Sequence, residues 1–283
     1  MNCAQSLYFG FFIATLIFIP FLYRWKIFSV SDVQKSGMHL GVFVPLIAFC
    51  LYIGSFLLLP STFEYLFNQI SRFRIFSFSS AFIKSFTQIG TIIFSTILLV
   101  GYSCVISKEI KSGIWGSEGA FSKNARNFFM GALYCVILYP LIMFSTQTIR
   151  ILIDLWTHFS RSEQIALSEL LAIKEYPILF WSFCILIVCV VPVLEELLFR
   201  GFFQNFFVQI FGKHGGVIIA SALFAFFHYS AKQGATNIEL LIGLFVFAYA
   251  IGNMYLKSRS LYTAIGMHAT FNLLSIIFVL LIS

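Results

Sequence analysis

The stretch Val191-Pro192-Val193-Leu194-Glu195-Glu196-Leu197-Leu198-Phe199-Arg200 sets two carboxylates and a guanidinium inside an apolar run that opens near Pro177. Ionisable groups at membrane depth are costly, so they face a protein interior or a water-filled cavity and carry function there. On a helix, Glu196 and Arg200 are four residues apart and share a face, with the carboxylate on the N-terminal side, the better order for such a pair. The helical repeat turns Glu195 about 100° away from that face. One carboxylate can therefore be held by the arginine while the other points into a cavity. A buried ion-pair cluster that only sets helix register is the competing reading of the same three residues.

Outward from this stretch the chain is apolar almost throughout. Its 283 residues are 60% hydrophobic and 10% charged, with a mean hydropathy of +0.94, whereas about a quarter of a soluble domain is charged. The composition is that of a polytopic membrane protein. The 37 phenylalanines suit lipid-facing and interhelical packing and carry no functional weight. The net charge of +7 comes from basic residues scattered over short loops. Attraction to anionic headgroups of the lipid bilayer accounts for it, and the lack of a basic stripe speaks against nucleic acid as a partner. Cys50, Cys104, Cys135, Cys184 and Cys189 lie in apolar stretches without metal-site spacing and are expected as buried free thiols, as is Cys3 near the N-terminus. Leu7 to Tyr23 has no basic residue ahead of it and no small-residue cleavage site, so it reads as a first transmembrane helix and not as a signal peptide.

Crossing a bilayer takes about 20 apolar residues. Suitable runs lie at Leu7 to Tyr23, Leu40 to Leu59, Gln88 to Ile106, Phe128 to Phe144, Pro177 to Leu198, Gly216 to Tyr229, Ile238 to Leu256 and Tyr262 to Ile282. The expected fold is an all-α transmembrane bundle of about eight helices. Residues 1–176 would supply N-terminal helices and interfacial connections, and residues 177–283 a C-terminal module. Ser61 with Glu64, and Ser160 with Glu163, have capping-box spacing ahead of apolar stripes, which predicts two helices lying on the membrane surface. No internal repeat or low-complexity tract is present. Loop Lys and Arg residues are in modest excess in the odd-numbered connections. That predicts outside termini, with the fifth-to-sixth and seventh-to-eighth loops in the cytoplasm.

Three polar clusters fall on different helices of the C-terminal half: Glu195 with Glu196 and Arg200, then His228, then His268 with Asn272 four residues on. A chain turn at Gly212 to Gly216 would put Glu195 about 25 Å and His228 about 18 Å from that turn, close enough to meet across an antiparallel pair. His268 would lie only about 10 Å from its own turn, so agreement requires the end of the fifth helix to project from the membrane. Gln204, Asn205, Gln209 and Lys213 would then be the polar side of that projecting segment. Taken singly, His228 reads as an interfacial helix end and His268 as an interhelical hydrogen-bonding group, ordinary glue between membrane helices. Their coincidence in a nearly charge-free interior favours a site. His39, His158 and His214 fall in loops or at helix ends.

Glu195-Glu196-x-x-x-Arg200, Phe224-x-x-x-His228 and His268-x-x-x-Asn272, in this order, resemble the three-motif signature of the CPBP intramembrane proteases, the family of CAAX prenyl proteases and bacteriocin-processing (Abi) proteins. The resemblance covers about Pro177 to Ser283. It implies an endopeptidase in which Glu195 and His228 activate water, His268 and Asn272 stabilise the oxyanion, and Glu196 and Arg200 support the site. It also implies, as partner, a membrane-associated protein or peptide substrate, with prenylated proteins among the candidates. This agrees with what peptide hydrolysis needs, a base for water and donors aimed at developing negative charge.

No cofactor is required by this scheme. Zinc is an open alternative, since Glu195, His228 and His268 could furnish a three-ligand catalytic site; the family is often described as metalloprotease-like, but a His-Glu-x-x-His helix is absent and a ligating Glu195 would leave the base unassigned. Two other classes compete. A non-catalytic membrane scaffold or immunity protein would keep the fold without the chemistry, and a transporter would use Glu195, His228 and His268 as a proton relay. The first half has no counterpart to the acidic motif, against the transporter's inverted repeat. The expected location is the cell membrane, as a multi-pass protein with its active-site side in the cytoplasm.

Overall fold

A computed structural model describes residues 3–28, 39–72, 80–116, 121–156, 170 and 173–282, and every regular element among them is helical. In chain order these are α1 (Cys3–Arg24), α2 (Phe43–Arg72), α3 (Ser80–Val105), a short α4 (Lys108–Trp115), α5 (Phe121–Trp156), α6 (Pro177–Phe226), α7 (Thr236–Ser258) and α8 (Leu261–Ile282). Among the described residues seven helices, all but α4, are long and apolar enough to cross a membrane.

The count is seven and not eight because residues 177–226 run as one folded-back helix. At Gly212 the backbone takes φ 70 and ψ 175, a region essentially reserved for glycine. Four residues on, a Cβ on Gly216 would stand 2.5 Å from the Val208 backbone nitrogen, although residues eight apart on a straight helix are about 12 Å apart. The Phe199 ring lies 5.2 Å from that of Phe224 and 5.6 Å from that of Phe227. An outgoing arm (177–211) and a returning arm (213–226) thus run antiparallel, and the expected fifth and sixth helices are the two arms of α6.

The outgoing arm is the centre of the bundle. Leu194, Leu197, Leu198, Phe199 and Phe202 are buried by α2, α3, α7 and α8 around them. α5 packs against α8 and α7, and α1 lies on α5. The α5–α8 crossing is close, since a Cβ on Gly131 would run into the Thr263 carbonyl and one on Gly266 into the Phe128 carbonyl. Lys257 at the end of α7 donates to the carbonyls of Trp25 and Lys26, which closes the C-terminal end of α1.

Several sequence expectations are corrected. Ser61 does not start a surface helix, because α2 runs through Pro60 to Arg72 and Thr62 Oγ1 donates to the Leu58 carbonyl. The extension is held by Phe67, whose ring meets Phe82 and Phe86 of α3 edge-on at 6.4 and 5.2 Å. The second surface segment, at Ser160 and Glu163, lies outside the described residues. α5 outlasts the expected Phe128 to Phe144 run, since Ser145, Thr146 and Thr148 turn their hydroxyls onto carbonyls of the preceding turn and need no water. Gln204 is fully buried instead of facing an interface, and its Nε2 donates to the Gly252 carbonyl at 2.9 Å. Of the described cysteines Cys135 and Cys184 are buried, but Cys50, Cys104 and Cys189 are exposed on apolar helix faces.

Candidate active site

The outgoing arm of α6 is not uniformly α-helical. Leu186–Val190 and Leu197–Gln204 are π turns on either side of the α-helical Val191–Glu196. Such widened turns occur preferentially at functional sites, because each adds a residue and re-aims the side chains that follow. A π turn also frees carbonyls. In the second one, Asn205 Nδ2 donates to the carbonyls of Arg200 and Gly201 at 3.2 and 2.8 Å, and to the Tyr255 hydroxyl at 2.7 Å. Tyr255 in turn donates to the end of α4, at Gly113 and Ile114.

Between the two π turns stand the two glutamates. Glu196 is wholly buried, and its Oε1 accepts from Arg200 Nη1 at 3.1 Å and from His268 Nδ1 at 2.7 Å. Arg200 is buried as well; its Nη2 donates to the Ala248 carbonyl at 3.1 Å, and its guanidinium lies 4.7 Å over the centre of the Phe224 ring. A buried carboxylate needs both partners and hydrogen bonds to be tolerated, and this one has a guanidinium and an imidazole. With Nδ1 committed to Glu196, His268 turns Nε2 toward Glu195, 3.8 Å from its Oε2. The Glu195 side chain keeps 15% of its surface accessible, and Oε2 is buried without a hydrogen-bond partner. Two atoms 3.8 Å apart can both reach one water oxygen set to the side, at about 2.8 Å from each.

His228 ends the returning arm, partly buried. Its Nδ1 lies 2.9 Å from the Phe224 carbonyl, which can only accept, so Nδ1 carries the proton and Nε2 of the neutral ring is left as an acceptor. The Phe224 ring joins the parts of the site: His228 lies 4.8 Å from it and His268 5.8 Å, centre to centre. Asn272, one turn beyond His268 on α8, donates from Nδ2 to the Ile187 carbonyl of the first π turn at 2.9 Å. The second Nδ2 hydrogen and Oδ1 have no partner in that bond.

Glu195, Glu196, Arg200 and His268 are therefore brought into one cluster, His228 adjoins it through Phe224, and Asn272 is tied to its edge. The close Glu196–His268 contact was not anticipated, since helix counting pairs Glu195 with the histidines and leaves Glu196 to Arg200 alone. Tyr52 was missed altogether. It sits on α2, its ring 6.2 Å from that of Phe227, close enough to Glu195 for the carboxylate to act on it electrostatically. Nothing in a lone tyrosine 143 positions upstream could have marked it. Among the described residues no group of three or more His, Cys, Asp or Glu side chains is placed to hold a metal ion.

Residues 177–274 match the family described as type II CAAX prenyl endopeptidase Rce1-like. No match is found among curated proteins or solved structures. The matched segment holds every member of the cluster, from Glu195 to Asn272, and leaves out α1 to α5, Tyr52 included. Over residues 177–274, this multi-pass membrane chain is similar to the Rce1-like family of type II CAAX prenyl endopeptidases.

Proposed function

We propose that the protein is an intramembrane endopeptidase that hydrolyses a peptide bond in a membrane-associated or lipidated protein, prenylated tails being the substrate class favoured by the family. The observation that carries this reading is the orientation of His268: Glu196 holds its Nδ1 at 2.7 Å, and its Nε2 is aimed at the unpartnered oxygen of Glu195.

In this mechanism Glu195, assisted by Nε2 of His228, takes a proton from a water, and the hydroxide adds to the scissile carbonyl carbon. The carbonyl oxygen becomes an oxyanion, to which His268 Nε2–H and the second Nδ2 hydrogen of Asn272 donate. The tetrahedral intermediate collapses with cleavage of the C–N bond, and the proton held by Glu195 passes to the departing amine. Two carboxylates face one guanidinium, so a single proton on the Glu195–His268 pair leaves the cluster neutral. Glu196 and Arg200 touch no reacting atom; they hold His268. The loop-charge bias favours access from the cytoplasmic side.

The test needs no guess at the substrate. New peptide termini are compared in membranes from cells carrying the wild-type protein, the Glu195→Gln variant, or neither. Termini formed only with the wild type are expected, and their sequence gives the cleavage site. Identical termini from wild type and Glu195→Gln, both different from the empty control, would overturn the catalytic role of Glu195 and favour a non-catalytic scaffold.

A further inference from the structure

The first π turn of α6 ends two residues before a proline, and the hydrogen bonds there do not close by themselves. In a π turn each N–H donates to the carbonyl five residues back. Val191 does so, its N–H reaching the Leu186 carbonyl. The next donor in the series would be residue 192, onto the Ile187 carbonyl. Pro192 has no N–H, so that carbonyl is left over at membrane depth, where an unsatisfied backbone group is costly. Asn272 Nδ2, from α8, lies 2.9 Å from it.

We propose that Asn272 and Pro192 form a clasp in which the missing proline N–H reserves the Ile187 carbonyl for Asn272, locking the π turn that aims Glu195 at His268. Asn272 is in this respect a positioning residue, whatever its free amide hydrogen does in catalysis. The reach of the clasp follows from its place. Pro192 stands three residues before Glu195, about one helical turn. Reversion of a π turn to an α turn would shift the residues beyond it by one position, about 100° around the axis, and would turn Glu195 away from His268. The clasp also ties α8 to α6 at a point one turn from His268, so that one contact sets the register of both partners. Its catalytic consequence rests on the proposed hydrolase reading; the clasp itself does not.

The experiment is a double-mutant cycle on the purified full-length protein in detergent, read first by thermal unfolding and without substrate. Asn272→Ala should lower the midpoint in the wild-type background. In the Pro192→Ala background residue 192 regains an N–H that can serve the Ile187 carbonyl, so the same Asn272→Ala step should lower it by less than half as much. Equal decreases in both backgrounds would overturn the clasp. If Pro192→Ala does not fold, hydrogen–deuterium exchange of the Asn272→Ala protein replaces the cycle: faster exchange confined to residues 186–195, with 243–255 unchanged, is expected, and unchanged exchange in 186–195 overturns the proposal.

The membrane assay for new termini adds the functional readout. A clasp predicts that Pro192→Ala, with Asn272 intact, slows cleavage at least fivefold by lowering kcat while leaving KM near its wild-type value. If Asn272 served only as an oxyanion donor, Pro192→Ala would cleave at the wild-type rate. If the wild type forms no termini at all, the hydrolase reading fails while the unfolding cycle and the exchange pattern still decide the clasp.

Discussion

His268 donates from Nδ1 to Glu196 Oε1 over 2.7 Å, across 72 residues of chain. A histidine held by a carboxylate on one nitrogen presents the other in a fixed tautomer and direction, and here that direction is Glu195. Hydrogen bonds to charged groups contribute about 1.5–3 kcal/mol. Glu196→Gln should therefore lower thermal stability by about 2 kcal/mol and cleavage by roughly 10- to 100-fold, at about 1.4 kcal/mol per tenfold. Detergent-phase unfolding and the rate of terminus formation check both numbers, and a wild-type rate would remove Glu196 from the orientation of His268.

Arg200 makes three contacts that a lysine cannot reproduce together: Nη1 to Glu196, Nη2 to the Ala248 carbonyl, and a guanidinium face over Phe224. The planar fork is what satisfies them at once. Arg200→Lys should destabilise the protein by about 2 kcal/mol, and Arg200→Ala by about 3–5 kcal/mol because Glu196 loses its buried cation. Urea or thermal unfolding measures the order, and a lysine variant as stable as wild type contradicts it.

Glu196 is held through Oε1 by Arg200 and His268, whereas Glu195 stands 3.8 Å from His268 Nε2 and keeps part of its side chain accessible; Oε2 of each carboxylate is buried without a hydrogen-bond partner. Glu195→Gln should leave the unfolding midpoint nearly unchanged, within about 0.5–1 kcal/mol, while cleavage falls by about 10² or more, the usual worth of a general base. A parallel loss of fold and activity would point to the register-setting ion cluster instead.

The reversal of α6 depends on Gly212. At φ 70 and ψ 175 a side chain is strained by about 1–3 kcal/mol. Gly212→Ala should lower stability by that amount, and limited proteolysis at the 211–216 turn should become faster. Because the fold-back also seats Phe224 and Phe227 against Phe199, and His228 lies on Phe224, cleavage should drop with it.

Tyr52 reaches the site from outside the family-matched segment. Tyr52→Phe keeps the ring against Phe56 and Phe227 and removes only the hydroxyl near Glu195. Stability should stay within about 0.5 kcal/mol of wild type, and the cleavage rate should fall several-fold. An unchanged rate would make α2 a packing element alone.

Membrane class, helical fold, the arms on either side of Gly212 and the identity of the polar set were legible in the sequence, because each depends on near neighbours in the chain. Twenty apolar residues span a bilayer whatever lies beside them, and a charge in such a run must find a polar interior. The apolar runs mark helices but not their ends: α2 passes its proline and α5 its polar triplet, since hydroxyls bond back to the helix and aromatic rings on α3 continue the packing.

Which carboxylate holds which histidine was settled only by tertiary structure. Glu195 and Glu196 are adjacent and chemically identical, and two π turns, the first followed by a proline without a donor, set the rotation that gives Glu196 to Arg200 and His268 and leaves Glu195 open. The same holds for Gln204 and Asn205. Their polarity reads as exposure, yet carbonyls of α7 and of the π turn, groups that the sequence places on other helices or pairs within their own, are what these side chains satisfy.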